Sequence, residues 1–373
     1  MNCRKISSDG LGELAGKQVG SVDKMRVLVT GHKGFIGTIM VPMLMDAGYE
    51  VLGIDSDLYR ASTYGPAPRL PDREVIKDVR DIEAADLEGV DAVVHLAALS
   101  NDMLGDLNPE WTWDINYRAS VRLAELSREC GVTRFVFASS CSMYGAGGNA
   151  PLDESATFNP VTAYAESKVL VEREVSAMAN GHFSPVFMRN ATAYGLSPRI
   201  RFDVVINNLT AWAYTTGEVL MKSDGSPWRP VVHIADISRA VLAVLGAPRS
   251  AMHNRAFNIG ASQENYRVRQ LAEMVRDVVP GCELAFAGGA EPDKRDYQVS
   301  FERFATAFPE YVPQWTAREG VGELYDGYRR IGLDRGDYEG PRYKRIAQLQ
   351  QRIAAGDLDE TLRWRAGMAA LAV

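Results

Sequence analysis

The sequence predicts an α/β protein built on a parallel sheet that helices cover on both faces. Short apolar strands alternate with helical stretches from Arg26 onwards, which is the order that connects parallel strands through crossover helices. A glycine-rich turn at residues 31–37 separates the first strand from the first helix. A strand, a glycine turn and a helix in succession are typical of the Rossmann fold, a doubly wound sheet that binds dinucleotides.

The predicted strands recur at regular intervals along the chain. They cover residues 26–30, 50–55, 74–77, 92–94, 134–138, 185–190 and 257–260. Helices are predicted from the glycine turn to about residue 47, at residues 114–130 and at residues 159–178, the last with Asn159 as its N-cap and Pro160 in its first turn. Because glycines and polar residues follow the strand ends, we expect a ligand at the carboxyl edge of the sheet.

The bulk composition limits the possible functions. A length of 373 residues allows roughly two domains. A net charge of -7 and an isoelectric point near 5.4 provide no basic face for phosphate backbones, so no nucleic-acid partner is expected. The four cysteines lie far apart, which favours a reducing compartment without a structural metal. No segment is apolar enough to cross a membrane or act as a signal peptide, so we expect a flexible leader at residues 1–24 and a cytoplasmic location.

The first two strands suggest which dinucleotide is bound. Backbone N–H groups of the glycine turn can hold a diphosphate at a helix N-terminus, although such a turn alone is weak evidence. Asp55 ends the second strand about twenty positions later, where a carboxylate accepts from both ribose hydroxyls of NAD and repels the extra phosphate of NADP. Lys33 argues the other way because a cation could receive that phosphate. We give Asp55 more weight and predict NAD.

Tyr164 and Lys168 form a candidate catalytic pair. They lie four residues apart in a predicted helix, so both side chains can point into one cleft. A neighbouring cation favours the phenolate form of tyrosine, which can then accept a proton from a hydroxyl. The pentapeptide alone is more typical of an ordinary amphipathic helix, so the catalytic interpretation depends on the residues upstream.

These motifs together resemble the extended short-chain dehydrogenase/reductases and, more narrowly, the nucleotide-sugar epimerase/dehydratase family. The resemblance covers about residues 25–330. It is carried by the order and spacing of a TGxxGxxG turn, Asp55, Asp78-Val79, His95-Leu96-Ala97-Ala98, Asn116, Ser139-Ser140 with Tyr144-Gly145, and Tyr164-x-x-x-Lys168.

The resemblance implies a role for each motif. Gly31, Gly34, Phe35, Ile36 and Gly37 would hold the cofactor diphosphate, Asp55 the adenosine ribose, Asp78 and Val79 the adenine, and Leu96, Ala97, Ala98 and Asn116 the nicotinamide half. Ser140, Tyr164 and Lys168 would form the catalytic triad, with Lys168 also on the nicotinamide ribose and Ser140 on the substrate. Simple capping of a strand end remains the alternative for the serines.

The resemblance also divides the chain. It implies a Rossmann domain at residues 25–190 plus 233–260 and a smaller substrate lobe at residues 191–232 plus 261–330. Arg229 and Arg295 would bind the substrate diphosphate in that lobe, and a solvated surface position is the alternative for Arg295. Residues 331–373 form an extension whose helix at 343–354 carries Ile346, Leu349 and Ile353 on one face, so we expect it to pack on the body or on a partner.

The expected activity is that of an NAD-dependent nucleotide-sugar epimerase, acting at C4 through transient oxidation to a keto sugar. A nucleotide-sugar dehydratase or a 3,5-epimerase is the alternative, and a non-catalytic dinucleotide-binding regulator is a more remote one. Two departures from the family pattern bear on this choice. Cys141 and Ser142 replace the Asp-Glu pair of the 4,6-dehydratases, and Thr192 stands near the place of a phosphate-binding asparagine. A homodimer through helices 114–130 and 159–178 is also implied.

Overall fold

The computed structural model describes residues 24–100, 108–147, 150–221, 223–286 and 295–365. All of the predicted leader except Lys24 lies outside these ranges, as do the last eight residues of the extension.

The strands of the described residues form one large sheet and two small ones. In chain order they are β1 (Arg26–Thr30), β2 (Glu50–Asp55), β3 (Arg73–Ile76), β4 (Ala92–His95), β5 (Arg134–Ser140), β6 (Ser184–Asn190), β7 (Thr192–Tyr194), β8 (Glu218–Met221), β9 (Trp228–His233), β10 (Arg255–Ile259), β11 (Asn265–Arg267) and β12 (Glu283–Phe286). The large sheet has seven parallel strands in the order β10-β6-β5-β4-β1-β2-β3. The predicted α/β class and doubly wound parallel sheet are thus confirmed.

The strand order reverses between β1 and β4, and this switch point opens a crevice at the carboxyl edge. Helices cover both faces of the sheet. In chain order, all α-helices of the described residues are α1 (Gly37–Asp46), α2 (Pro109–Thr112), α3 (Ala119–Glu129), α4 (Ala163–Ala177), α5 (Val205–Thr216), α6 (Ile234–Gly246), α7 (Arg249–Met252), α8 (Val268–Val278), α9 (Glu302–Ala307), α10 (Ala317–Ile331), α11 (Arg335–Glu339) and α12 (Arg345–Ala354).

Alternation along the central strands creates two cores. Val27 and Val29 of β1 pack into a cluster on one face with Met40 of α1, whereas Leu28 packs on the other face with Leu123 of α3. All of these side chains are fully buried. Each face therefore has its own apolar layer, as a parallel sheet requires.

The predicted start of the helix at residues 159–178 is wrong. The helix α4 begins at Ala163, and the Thr162 hydroxyl caps it by accepting the backbone N–H of Ala165. Asn159 instead donates its backbone N–H to Met143 O at 2.9 Å, and its own carbonyl packs against Gly145. This tertiary contact holds Asn159 and Pro160 outside the helix.

The helix predicted at residues 114–130 begins earlier than expected. Asn108 caps α2 by accepting the Glu110 N–H at 3.1 Å, and a π-helical segment, Trp113–Arg118, joins α2 to α3. The wider turn of a π-helix is a local distortion that frequently occurs at functional sites. Here it carries Asn116.

The chain leaves the large sheet after β6. The strand β7 follows at once and joins β9 and β11 in a three-stranded sheet, while β8 and β12 form a two-stranded one. A third apolar cluster, which includes Tyr194, Ile206 and Leu271, fills the space between these sheets and α5, α8 and α10. Residues 297–311 return to the large sheet, where Phe304 and Phe308 pack on Phe257.

The C-terminal extension packs on the body, which was one of the two expectations for it. Its helix runs over Arg345–Ala354 and follows a short 3₁₀ turn, Pro341–Tyr343. Leu349, Leu358 and Leu362 are fully buried in the same cluster as Leu52 of β2. In the described part of the chain, no helix is both long and apolar enough to cross a membrane.

Candidate active site

A cleft of about 630 Å³ lies at the carboxyl edge of the large sheet and extends under the small sheets. Nearly all of the predicted site residues line it. These are Gly31, Gly34, Phe35, Ile36, Gly37, Asp55, Asp78, Val79, Leu96, Ala97, Ala98, Ser140, Tyr164, Lys168, Arg229 and Arg295. Asn116 is the exception.

The glycine turn is shaped by close backbone contacts that exclude any side chain. Gly31 has a φ of +77°, and a Cβ there would lie 2.7 Å from the backbone nitrogen of Ala97. A Cβ on Gly37 would lie 2.3 Å from the carbonyl oxygen of Gly31. The turn therefore presents bare backbone to the cleft at the start of α1, which is a cradle that fits a dinucleotide diphosphate.

The end of β2 favours NAD over NADP. The Asp55 carboxylate accepts the backbone N–H groups of Lys33 at 3.0 Å and Asp57 at 2.7 Å, which fixes it beside the glycine turn. The Lys33 ammonium lies 3.1 Å from Glu74 and 3.4 Å from Asp57. Because two carboxylates neutralise Lys33, it is poorly placed to receive an extra phosphate.

Asp78 faces the cleft with its carboxylate already engaged. The Arg80 guanidinium donates to both of its oxygens, at 2.9 and 2.7 Å, and its Oδ1 also accepts the backbone N–H of Arg80. This clamp fixes the turn that carries Val79 at the cleft wall.

Asn116 does not reach the cleft but holds the loop that does. Its side-chain amide exchanges two hydrogen bonds with the backbone of Leu99, at 2.7 and 2.9 Å, and it is fully buried. Nearby, buried His95 bonds the Thr30 and Ser120 hydroxyls, at 2.6 and 2.7 Å. Burial lowers the pKa of His95 to about 3, so the ring is neutral. The loop after β4 is thus positioned by α3 and the π segment.

The structure brings the three predicted catalytic residues to one part of the cleft. The Lys168 ammonium donates to Ala138 O at 2.7 Å and lies 5.6 Å from the centroid of the Tyr164 ring. Burial lowers the pKa of Lys168 to about 7, although Glu172 opposes this shift. The Ser140 hydroxyl accepts the Ser142 N–H at 3.1 Å and donates to the Ser142 hydroxyl at 2.9 Å. Ser140 therefore caps the turn after β5 while it faces the cleft.

A buried ionic network supports this arrangement from behind. Glu172, one turn after Lys168, accepts from the Arg189 guanidinium at 2.7 Å and from the Ser139 hydroxyl at 2.6 Å. Arg189 also donates to the Tyr144 hydroxyl at 3.1 Å. The network connects β5, β6 and α4, so Ser139 has a positioning contact and its hydroxyl is directed to Glu172.

Cys141 does not line the cleft. Its thiol is fully buried in the core and lies 3.0 Å from the carbonyl oxygen of Arg189. Burial raises the pKa of this thiol well above its ordinary value. The side chain therefore behaves as a small apolar residue, whereas the neighbouring Ser142 does face the cleft.

Arg229 and Arg295 lie together at the other end of the cleft. Arg229 is buried on β9, and its guanidinium donates to the backbone carbonyls of Trp228 and Arg295. Both arginines line the cleft beside Tyr297. These arginines are distant from the glycine turn along the chain. Their placement suits an anionic group other than the one held by the glycine turn.

Several cleft residues were not predicted. Arg199, Arg201 and Asp203 come from the segment after β7, and Arg345 comes from the extension. Ser197 ties this segment to the glycine turn by donating to Phe35 O at 2.9 Å. The Pro-Arg-Ile-Arg run at residues 198–201 was an available signal, because it places two arginines shortly after the sixth predicted strand. Nothing in the sequence pattern singled out Arg345.

The fold, the glycine turn and the Tyr164–Lys168 pair define an NAD-dependent enzyme of the short-chain dehydrogenase/reductase type. The chain belongs to the NAD dependent epimerase/dehydratase family, whose model matches residues 27–260.

Named relatives agree with this assignment. A UDP-glucose 4-epimerase of Corynebacterium glutamicum is 29% identical over 271 residues, which are 68% of this chain and 80% of the relative. A UDP-glucuronate 4-epimerase of Thermodesulfobacterium geofontis is 28% identical over 268 residues, with the same two coverages of 68% and 80%. The structure of MoeE5 in complex with UDP-glucuronic acid and NAD superposes with a TM-score of 0.71 at 26% identity, covering 83% of this chain and 100% of MoeE5.

Replacing Lys168 is expected to separate stability from activity. Its folded-state pKa lies below the ordinary value, so the folded chain holds this proton more weakly than the unfolded chain does. The resulting destabilisation is complete below about pH 7 and disappears as the pH rises towards about 10.5. Cofactor-free Lys168→Met should therefore be more stable than the parent at pH 7, by on the order of 1–3 kcal/mol after the lost hydrogen bond, and nearly inactive.

The free energy of unfolding, measured in urea between pH 7 and pH 10, checks this expectation. The advantage of Lys168→Met should shrink across that range. Lys77→Met is the matched control, since Asp86 raises the pKa of Lys77 and its small contribution should stay constant between pH 7 and pH 9. A Lys168→Met protein that is less stable than the parent at pH 7 would contradict the analysis.

Cys141→Ala tests whether the thiol takes part in chemistry. Because the thiol is buried in the core, we expect kcat to stay within about threefold of the parent and stability to fall by about 1 kcal/mol from the small cavity. Steady-state kinetics and thermal unfolding measure the two effects. A loss of activity of a hundredfold or more, with an unchanged melting temperature, would instead indicate that the thiol acts as an acid or base.

Proposed function

We propose that this protein is a nucleotide-sugar 4-epimerase that oxidises a ring hydroxyl to a keto sugar and then reduces it from the opposite face. The proposal combines the family with the residues that line the cleft. A UDP-linked hexose or hexuronate is the proposed substrate class, since the named relatives act on UDP-glucose and UDP-glucuronate.

One observation favours epimerisation over loss of water. The carboxylates among the described lining residues are Asp55, Asp57, Asp78 and Asp203. Asp55 ends β2, and Asp57 and Asp78 follow β2 and β3. These two strands lie at one edge of the sheet, whereas Tyr164 belongs to the helix that connects β5 and β6. Asp203 is paired with Arg201 at 2.6 Å, and this pairing holds the pKa of its carboxyl well below the usual range.

Elimination of water from a keto sugar requires a group that removes a carbon-bound proton and an acid that protonates the leaving hydroxyl. Ser142 and buried Cys141 occupy the places where the 4,6-dehydratases carry Asp and Glu, and neither is suited to these tasks. An epimerase needs only one group that exchanges a proton with the sugar hydroxyl, and Tyr164 meets that need.

The proposed roles follow from the positions of the side chains. Bound NAD supplies the acceptor that takes hydride from the sugar and returns it. The Tyr164 phenolate removes the proton of the sugar hydroxyl and later returns it. The Lys168 ammonium stabilises this phenolate. The Ser140 hydroxyl donates to the same sugar oxygen, and the Arg229 and Arg295 guanidinium groups bind the nucleotide diphosphate.

Incubation in heavy water distinguishes the reactions on this fold. The protein is mixed with UDP-linked hexoses and hexuronates without added cofactor. The products are separated, and their molecular masses are measured by mass spectrometry. A 4-epimerase returns the same hydride, so we expect a new isomer of unchanged mass. A product with carbon-bound deuterium, with or without loss of water, would instead indicate a 3,5-epimerase or a dehydratase.

Tyr164→Phe is the matched variant for this assay, because it removes only the hydroxyl. It should bind NAD as the parent does and lose at least about a thousandfold in kcat, the scale expected for a general base. Turnover close to that of the parent would refute the proposed role of Tyr164.

We further propose that the protein is a homodimer formed through α3, the π segment and α4. Trp113 and Leu170 of these helices are half-buried in a single chain, and within the described ranges they belong to none of the three apolar clusters. Light scattering should give about twice the chain mass of 41.0 kDa. Leu170→Glu should shift the protein to monomers, and a parent protein that is monomeric at micromolar concentration would refute the interface.

A cytoplasmic location and the predicted division into a Rossmann domain and a substrate lobe belong to the same proposal. The location is supported by Cys130, Cys141 and Cys282, which are free thiols. The division is supported by the third apolar cluster, which gathers the smaller sheets around a core of their own.

A further inference from the structure

Arg345 is a cation of the C-terminal extension that lies inside the cleft. It is the first residue of α12, half-buried, and its guanidinium lies 4.5 Å from the centroid of the Tyr59 ring. Tyr59 follows β2 by four residues and also lines the cleft. The extension therefore contributes directly to the part of the cleft that Asp55 defines.

Arg345 makes no direct ion pair with any residue that the structure describes. Across the ranges that the structure describes, no carboxylate lies within 4.0 Å of its guanidinium and no hydrogen bond engages it. Burial, followed by the charge of Arg201, lowers the pKa of Arg345, and the charges of Tyr59, Asp203 and Asp55 only partly oppose this shift. Arg201 in contrast is paired with Asp203 and bonded to Ser100. A partly desolvated cation that faces a cavity and another cation is favourable only when an anion joins them.

The rest of the extension fixes the loop that carries Tyr59. Arg342 donates to the carbonyls of Ala61 and Thr63, at 3.2 and 3.1 Å. At the other end of the loop, the Trp364 indole donates to Ser56 O at 2.6 Å. The extension thus holds residues 56–63 from both ends and places Arg345 between these attachments.

We propose that Arg345 binds the diphosphate of NAD and that the C-terminal extension is a structural part of the cofactor site. The diphosphate is the anionic group of NAD, and a guanidinium binds phosphate oxygens through two parallel hydrogen bonds. This inference rests on NAD dependence and not on the identity of the sugar. The match to MoeE5 covers all of the MoeE5 chain but 83% of this chain. This chain is therefore longer than the MoeE5 structure.

A nucleotide sugar also carries a diphosphate, so two ligands share this chemistry. The dinucleotide is favoured because Arg345 lies beside Tyr59 and interacts with the charge of Asp55, at the end of β2. Arg229 and Arg295 also line the cleft, and the proposed function assigns them to the diphosphate of the sugar nucleotide.

The test compares Arg345→Ala with Arg335→Ala in the full-length chain. Arg335 is the matched control, since it also begins a helix of the extension but is exposed and paired with Glu339 at 3.0 Å. NAD and UDP are titrated separately into protein stripped of cofactor. For Arg345→Ala we expect at least about tenfold weaker NAD binding, the change for a lost hydrogen bond between charged groups, with UDP binding unchanged. Arg335→Ala should bind both ligands as the parent does.

Thermal unfolding separates this role from a purely structural one. Cofactor-free Arg345→Ala should melt no lower than the parent, because it removes a partly desolvated charge that has no direct ion pair among the described residues, whereas its stabilisation by saturating NAD should be reduced. Arg345→Lys should recover part of the NAD affinity. If Arg345→Ala does not fold, Arg345→Gln removes the charge while keeping a long side chain.

Unchanged NAD affinity in the charge-removing variant would overturn the proposal. Weaker UDP binding with intact NAD binding would also overturn it, and would assign Arg345 to the sugar nucleotide. Both titrations are made without a sugar substrate, so the result is independent of whether the protein is an epimerase.

Discussion

The close approach of the glycine turn to the ends of β2 and β4 is the constraint on which the cleft depends. A single methyl group on Gly31 or Gly37 would collide with backbone atoms. Because the turn is this tight, its N–H groups at the start of α1 face the crevice created by the strand reversal. Asp55 accepts the Lys33 N–H and so joins the turn to β2. The cofactor site is therefore fixed by backbone geometry before any side chain contributes specificity.

The proposed catalytic residues are held by a different feature, a buried ionic network behind α4. Glu172 and Arg189 pair at 2.7 Å and are nearly inaccessible to solvent, which fixes the helix against β5 and β6. The same burial lowers the pKa of Lys168 to about 7. The chain thus contains a destabilised ammonium at the position where the proposed mechanism needs a cation beside Tyr164, which is the compromise expected of a functional site.

The sequence predicted the features that depend on local patterns. The strands, the glycine turn and the ends of strands that carry Asp55 and Ser140 follow from periodicity and from turn chemistry. The start of α4 was missed because a contact between Asn159 and the turn at Gly145 overrides a good capping sequence. Arg345 could not be predicted, because its place in the cleft depends on the packing of a segment nearly three hundred residues from Asp55.

The attachments between chain segments around the proposed cofactor site fit the proposed chemistry. A dehydrogenase must release its reduced cofactor after each turnover, so a site closed by several chain segments would slow it. An epimerase regenerates NAD on the enzyme and has no such requirement. Here the segment after β7 is tied to the glycine turn through Ser197, and the extension holds the loop after β2 through Arg342 and Trp364. Restricted cofactor exchange would then carry no cost in rate, since the nucleotide sugar alone must enter and leave.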